Sequence, residues 1–268
     1  SILVIIALFC RPKCSYAQYY FFDNESYSNP LQYEAGISIN AMNCLTDIGG
    51  RRGIGKKFFK DYNVGFNRLS GGIFFGVFYK NAVAVRLEGT FGHIASNDNI
   101  LLGITDIAKQ RFNRNLNFRS NIIEVALMAE IHPMYIFIDW LAKETSPPRI
   151  SPYVIGGVGY FSFNPQAKLG NSYIDLQTLH TAGQGFPEYP DRRNYSLTQL
   201  NIPLGAGVKY ELTPLINLRA EFLYRKTFTD YLDDLSTEYI DPNLFDKYLS
   251  PQKAVTARFL YDRQLIKL

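Results

Sequence analysis

The feature that most constrains this chain is alternation. Between Val83 and Phe91, the residues Val83, Val85, Leu87 and Phe91 interleave with Arg86, Glu88 and Thr90. A strand points successive side chains to opposite faces, so one face here is apolar and the other charged. Two architectures accept many such strands. A transmembrane barrel turns the apolar face to lipid and the charges to its lumen. A soluble lipocalin-like barrel does the reverse.

The pattern predicts eight strands. The first spans Leu31 to Asn43, with Tyr33, Ala35, Ile37, Ile39 and Ala41 opposed by Glu34, Ser38 and Asn40. Ile73, Phe75, Val77 and Tyr79 lead through Lys80-Asn81 into the strand at Val83 as a hairpin. The fourth sets Ile123, Val125, Leu127 and Ile131 against Ser120, Glu124 and Glu130. The fifth, Tyr153 to Phe163, is apolar or glycine on both faces, and its Gly156, Gly157 and Gly159 suit a bend or close lumen packing. Leu200 to Tyr210 and Ile216 to Tyr224 form the sixth and seventh around Thr213-Pro214, with Lys209, Arg219, Glu221 and Arg225 facing inward. Val255, Ala257, Phe259 and Tyr261 against Thr256 and Arg258 give the expected eighth.

The connections alternate in length. Tight turns join strands 2–3 and 6–7, while long polar segments fall at 44–65, 95–117, 164–195 and 228–252. Short turns on one side and long loops on the other are the asymmetry of outer-membrane barrels. The connection at 133–150, with Trp140 and Pro147-Pro148, is longer than a turn should be. Aromatic strand ends (Tyr79, Phe91, Tyr210, Tyr224, Tyr261) fit an interfacial girdle, and aromatics make up 15% of the chain, with 20 Phe and 19 Tyr.

The N-terminus carries a secretory signature. Ile2 to Phe9 is apolar over the length of a signal-peptide core and too short to span a bilayer. Ser15-Tyr16-Ala17 places cleavage after Ala17, leaving 18–30 as a periplasmic segment and 31–268 as the barrel. Phe9 and Lys13, ahead of Cys10 and Cys14, do not fit a lipidation site. Cys44 is then the only cysteine of the mature chain, which excludes an intramolecular disulfide. A net charge of +4 gives no argument for nucleic acid.

Little in the sequence suggests chemistry. His93, His132 and His180 show no spacing that marks a nucleophile, base and acid, and no Cys/His cluster suggests a metal. No catalytic, cofactor-binding or metal residue is therefore expected. Gly53-Ile54-Gly55-Lys56-Lys57 has the look of a phosphate loop without the preceding strand, and reads better as a basic external loop meeting lipopolysaccharide. The lumen charges (Arg86, Glu88, Glu124, Arg219, Glu221, Arg225) could line a pore, but their mixed signs favour mutual pairing. Asp230, Asp233 and Asp234, just beyond Arg225 and Lys226, suggest a charge-paired fold-back of the last loop over the barrel mouth. Tyr135, Phe137 and Trp140 are either girdle residues or anchors for a periplasmic partner.

Several stretches carry a family likeness. They are Asn115-Leu116-Asn117-Phe118-Arg119-Ser120, Pro152-Tyr153-Val154 with Gly156-Gly157-Val158-Gly159, Phe163-Asn164-Pro165, Gly183-Gln184-Gly185, Ile202 through Tyr210, and Arg225 through Asp234. In this order they resemble the PorG-like outer-membrane barrels of the Bacteroidota type IX secretion system, over roughly Tyr33 to Phe259. The resemblance implies a non-enzymatic, eight-stranded outer-membrane component without cofactor. Its partners would be the periplasmic ring of PorK- and PorN-like proteins, with outer-membrane lipid and lipopolysaccharide around it. Residue 182 is Ala where the family pattern has an acid before Gly-Gln-Gly, so no role for that acid transfers. A stand-alone barrel that binds ligands through its loops, or a narrow channel, is the alternative.

Overall fold

The computed structural model describes residues 30–46, 48, 64–101, 112–138, 148–235 and 239–264. The expected leader 1–17, the segment 18–29, the basic Gly53–Lys57 stretch, Trp140 and Pro147 lie outside the described residues.

Eight strands form: β1 (Leu31–Met42), β2 (Arg68–Tyr79), β3 (Val83–Asn97), β4 (Asn117–Ile131), β5 (Ile150–Leu169), β6 (Ser172–Asp175), β7 (Thr198–Thr213) and β8 (Ile216–Thr227). Three short helices join them: α1 (Pro133–Phe137), α2 (Leu244–Tyr248) and α3 (Pro251–Tyr261). The wall is an up-and-down antiparallel sheet in the order β1-β2-β3-β4-β5-β7-β8, while β6 pairs only with the far end of β5. Tight turns at Lys80–Ala82 and Pro214-Leu215 mark one end, called here the turn end. At the first of them Lys80 and Asn81 are both left-handed (φ 52° and 55°), and their twist matches that of the flanking strands. The opposite, loop end carries the long connections.

Register fixes which side chains meet. Val77 lies opposite Val85 and Phe75 opposite Leu87, while Gly76 lies opposite Arg86 between them. The apolar set faces out: Ile37 and Ile39 are 81% and 80% exposed, and Val85, Leu87, Val125, Leu127, Leu204, Leu218 and Phe222 are also exposed. Arg86, Glu88, Glu124 and Glu130 are buried on the inner face. A lipocalin-like barrel would have the opposite phase, with its apolar set buried inside.

The sheet is curled, and side chains from distant strands meet across its inside. A Cβ at Gly159 would collide with Asn201, and one at Gly207 would lie 2.6 Å from the Tyr153 hydroxyl. These glycines let lumen side chains lie against the wall, as the glycine-rich fifth strand suggests.

The expected eighth strand is corrected. Residues 251–261 form α3, a helix, not a strand. Alternation over Val255, Ala257, Phe259 and Tyr261 spans too few residues to separate a period of two from one of 3.6. Ala254, Ala257 and Leu260 are the buried set, while Val255 and Phe259 are exposed. Ser250-Pro251 opens the segment as a helix start, with proline where its missing N–H costs nothing. Among the described residues the wall ends at Thr227, and seven strands form it. No ladder joins β8 to β1 among those residues. The 133–150 connection begins with α1.

Beyond the wall, β5 continues to Leu169 and, with β6, stands above the loop end. Phe186, Ile240, Phe245, Ala254, Ala257 and Leu260 pack with Ala167, Leu176 and Leu179 into a second small core there.

Candidate functional site

Two clusters of polar side chains are built into this frame. The first fills the inside of the wall. The Arg86 guanidinium (β3) donates two bonds to Glu221 (β8), at 2.6 and 2.7 Å. It also lies 3.2 Å from Glu130 and 3.3 Å from Glu88. Arg219 (β8) donates two bonds to Glu34 (β1), at 2.7 and 3.0 Å, and a third to Glu130 (β4) at 3.0 Å. Arg225 (β8) and Asn201 (β7) hold one oxygen each of Glu124, at 2.7 and 2.6 Å. Paired planar forks of this kind are the strongest charge-assisted bonds available to a protein. Phe74, Phe78 and Tyr153 present their ring faces to Arg219, each centroid 5.3–5.4 Å from the guanidinium carbon. The expected pairing of the inner-face charges is thus what the structure contains.

At the turn end of this network, His132 bonds Ser151 Oγ through Nδ1 (2.9 Å) and Glu130 through Nε2 (3.3 Å). An acid, a histidine and a serine in line have the connectivity of a hydrolase relay. Here, however, Glu130 and His132 are fully buried and Ser151 nearly so. The imidazole also stacks on Tyr153 at 4.9 Å, with Phe78 on its edge at 5.7 Å. A nucleophile must reach its substrate, and this hydroxyl is sealed in packed side chains. The relay orders the inner face. His93 lies on β3 and His180 in the left-handed cap after a 3-10 turn, neither near it in the chain or the sheet.

The second cluster joins two connections at the loop end. Asp234 follows a 3-10 turn at Tyr231–Asp233 and is fully buried. Its carboxyl accepts bonds from Thr181 Oγ1 (2.6 Å), Gln184 Nε2 (3.0 Å) and the Tyr195 hydroxyl (2.6 Å). Tyr195 in turn stacks on Tyr231 (4.8 Å, 7° between planes) and on Phe163 (5.9 Å). Burial pushes the Asp234 carboxyl up to about 6, and the three donors only partly offset this.

The expected fold-back of the last loop is present, but its chemistry is corrected. Arg225 is committed to Glu124 inside the wall, and Asp230 is exposed. Asp233 is buried and accepts the Leu235 amide. Of the three expected aspartates, Asp234 is the one that bonds the β6–β7 connection, through neutral donors. Gln184 stood out in the sequence as part of Gly-Gln-Gly, but nothing there linked it to an aspartate fifty residues on. At the turn end, Tyr135 is half-buried on α1, and Phe137 is 82% exposed.

A curled antiparallel wall with an apolar outside and an ion-paired, filled inside defines a barrel-like all-β protein. The chain belongs to the family of a domain of unknown function, DUF6089, whose family model matches residues 31–240. No curated protein and no solved structure matches it.

Proposed function

We propose that this chain is a non-enzymatic β-barrel of the outer membrane that serves type IX protein secretion, contacting a PorK–PorN-like periplasmic ring at its turn end. The observation that carries the membrane part is the phase of the wall. Apolar side chains face out along every one of its strands, far beyond the few hundred Å² of apolar patch that a water-soluble monomer exposes. The secretion part rests on the resemblance to PorG-like barrels. Lipid and lipopolysaccharide would then surround the wall and its loop end.

In a bilayer the wall must be continuous, because each unpaired backbone group in hydrocarbon costs several kcal/mol. With seven strands in strict antiparallel order, β1 and β8 run the same way and cannot pair with each other in that pattern. An eight-stranded barrel would need one further strand, antiparallel to both. The Arg219–Glu34 bridge already links β8 to β1 on the inner face.

The turn end offers the contact surface for the ring. Tyr135 and Phe137 on α1, with Trp140 in the same connection, are the candidate anchors, and Leu215 in the neighbouring turn is 94% exposed. Trp140→Ala, and replacement of residues 143–149 by a Gly-Ser linker, are expected to leave an inserted, heat-modifiable barrel. Both should lose crosslinked co-purification with the ring proteins and reduce secretion. Normal secretion and co-purification in both variants would remove this face as the contact. They would instead favour a stand-alone barrel that binds ligands at its loop end, a reading which the ordered β6–α3 cap supports.

A further inference from the structure

The geometry points to a latch: the Asp234 carboxyl, gripped by Thr181, Gln184 and Tyr195, pins the Tyr231–Asp234 turn to the β6–β7 connection at the loop end, and its release lets that turn lift. Three observations carry this. The three donors come from a single connection and the acceptor from another, so these bonds hold one segment against the other. The grip is buried and made of neutral donors, which tolerate the carboxyl in either protonation state. A protonated Asp234 can donate to Thr181 Oγ1 while still accepting from Gln184 and Tyr195. The Tyr195–Tyr231 stack joins the same two segments beside the carboxyl, so the turn lifts from Tyr195 as it leaves the three donors.

The charged groups around the latch are committed elsewhere. From the β6–β7 connection, Arg192 donates to the Ala182 carbonyl. From the loop ends of β3 and β4, Asp98 and Arg114 pair with each other at 2.9 Å. On its own turn, Asp233 accepts from Leu235, and Asp230 faces solvent. Among the described residues no ion pair reaches Asp234, whose carboxyl is held by the three neutral donors.

This arrangement gives the latch a pH response of definite sign. The latched carboxyl keeps its proton up to about 6, and a released one only to the ordinary aspartate value near 4. Acid therefore favours the latched state. Its advantage is lost as pH rises from about 4 through about 6 and stays at the weaker level above. Across pH 5 to 8 the opening equilibrium should rise about tenfold.

Cys44 is a built-in reporter. It packs on the cluster that contains Tyr195, as do Tyr231, Leu232 and Leu235. Burial pushes its thiol up to about 12, with Asp233 contributing. Maleimide labelling of Cys44 is measured on the full chain in detergent, with Cys10→Ser and Cys14→Ser, and normalised at each pH to the urea-unfolded chain. Asp234→Ala and Gln184→Ala are expected to label at least tenfold faster than the parent. Asp234→Asn, which copies the neutral form, should stay slow and lose the pH dependence that the parent shows. Wild-type labelling rates in both alanine variants would overturn the latch. So would a parent rate that does not change between pH 5 and 8, or an Asp234→Asn variant that retains the parent's profile. Should Asp234→Ala fail to fold, Gln184→Ala and the Asn profile decide alone.

Discussion

Arg219→Ala is expected to lower the stability of the folded wall by about 3–5 kcal/mol, read as a lower urea midpoint in detergent with an unchanged slope. The arginine closes a three-strand bridge: Glu34 on β1, Glu130 on β4 and its own β8. Its removal leaves Glu34 with Lys209, 3.8 Å away, as the nearest cation. It also takes from Glu130 one of two guanidinium partners, leaving Arg86. A buried carboxylate stripped of its partner retains the full cost of its desolvation. Arg219→Lys restores the charge without the fork and should recover only part of the loss. A midpoint unchanged in Arg219→Ala would mean that water already solvates these carboxylates, and the ion-paired interior would be wrong.

The second large effect tests the membrane itself. Val85→Arg should cost about 2–4 kcal/mol if Val85 faces hydrocarbon near the midplane. Leu215→Arg, in the 94% exposed turn, should cost little. Spin labels at Val83, Val85 and Leu87 should be reached by a lipid-soluble relaxant, and labels at Arg86 and Glu88 should not. Were Val85→Arg as harmless as Leu215→Arg in reconstituted membranes, the wall would not face lipid, and the apolar exterior would have to be covered by protein.

What could be read in the sequence, and what could not, follows from periodicity. Strands β1, β3, β4, β7 and β8 alternate over nine or more residues with charges on the inner face, a run that reads as a strand and not as a helix. β5 gave its position but not its role. Its faces look alike in sequence, so Tyr153, which donates to Glu221, and Ser151, which meets His132, went unmarked. The eighth strand failed because α3 is short and its Val-x-Ala-x-Phe-x-Tyr spacing satisfies two periods at once. The aspartates beyond β8 were visible as a loop-ordering group, but composition offered Arg225 and Lys226 as partners because they are near in sequence. The structure spends Arg225 inward and brings Thr181, Gln184 and Tyr195 from a connection that no local pattern ties to Asp234.

The odd number of strands in the wall also has a topological consequence. A path that crosses seven times enters at one end and leaves at the other. The chain therefore joins β1 from the turn end, while α2 and α3 are stranded at the loop end, seated on the β5–β6 extension. In a barrel whose turn end faces the periplasm, the two flanks of the same polypeptide would occupy different compartments.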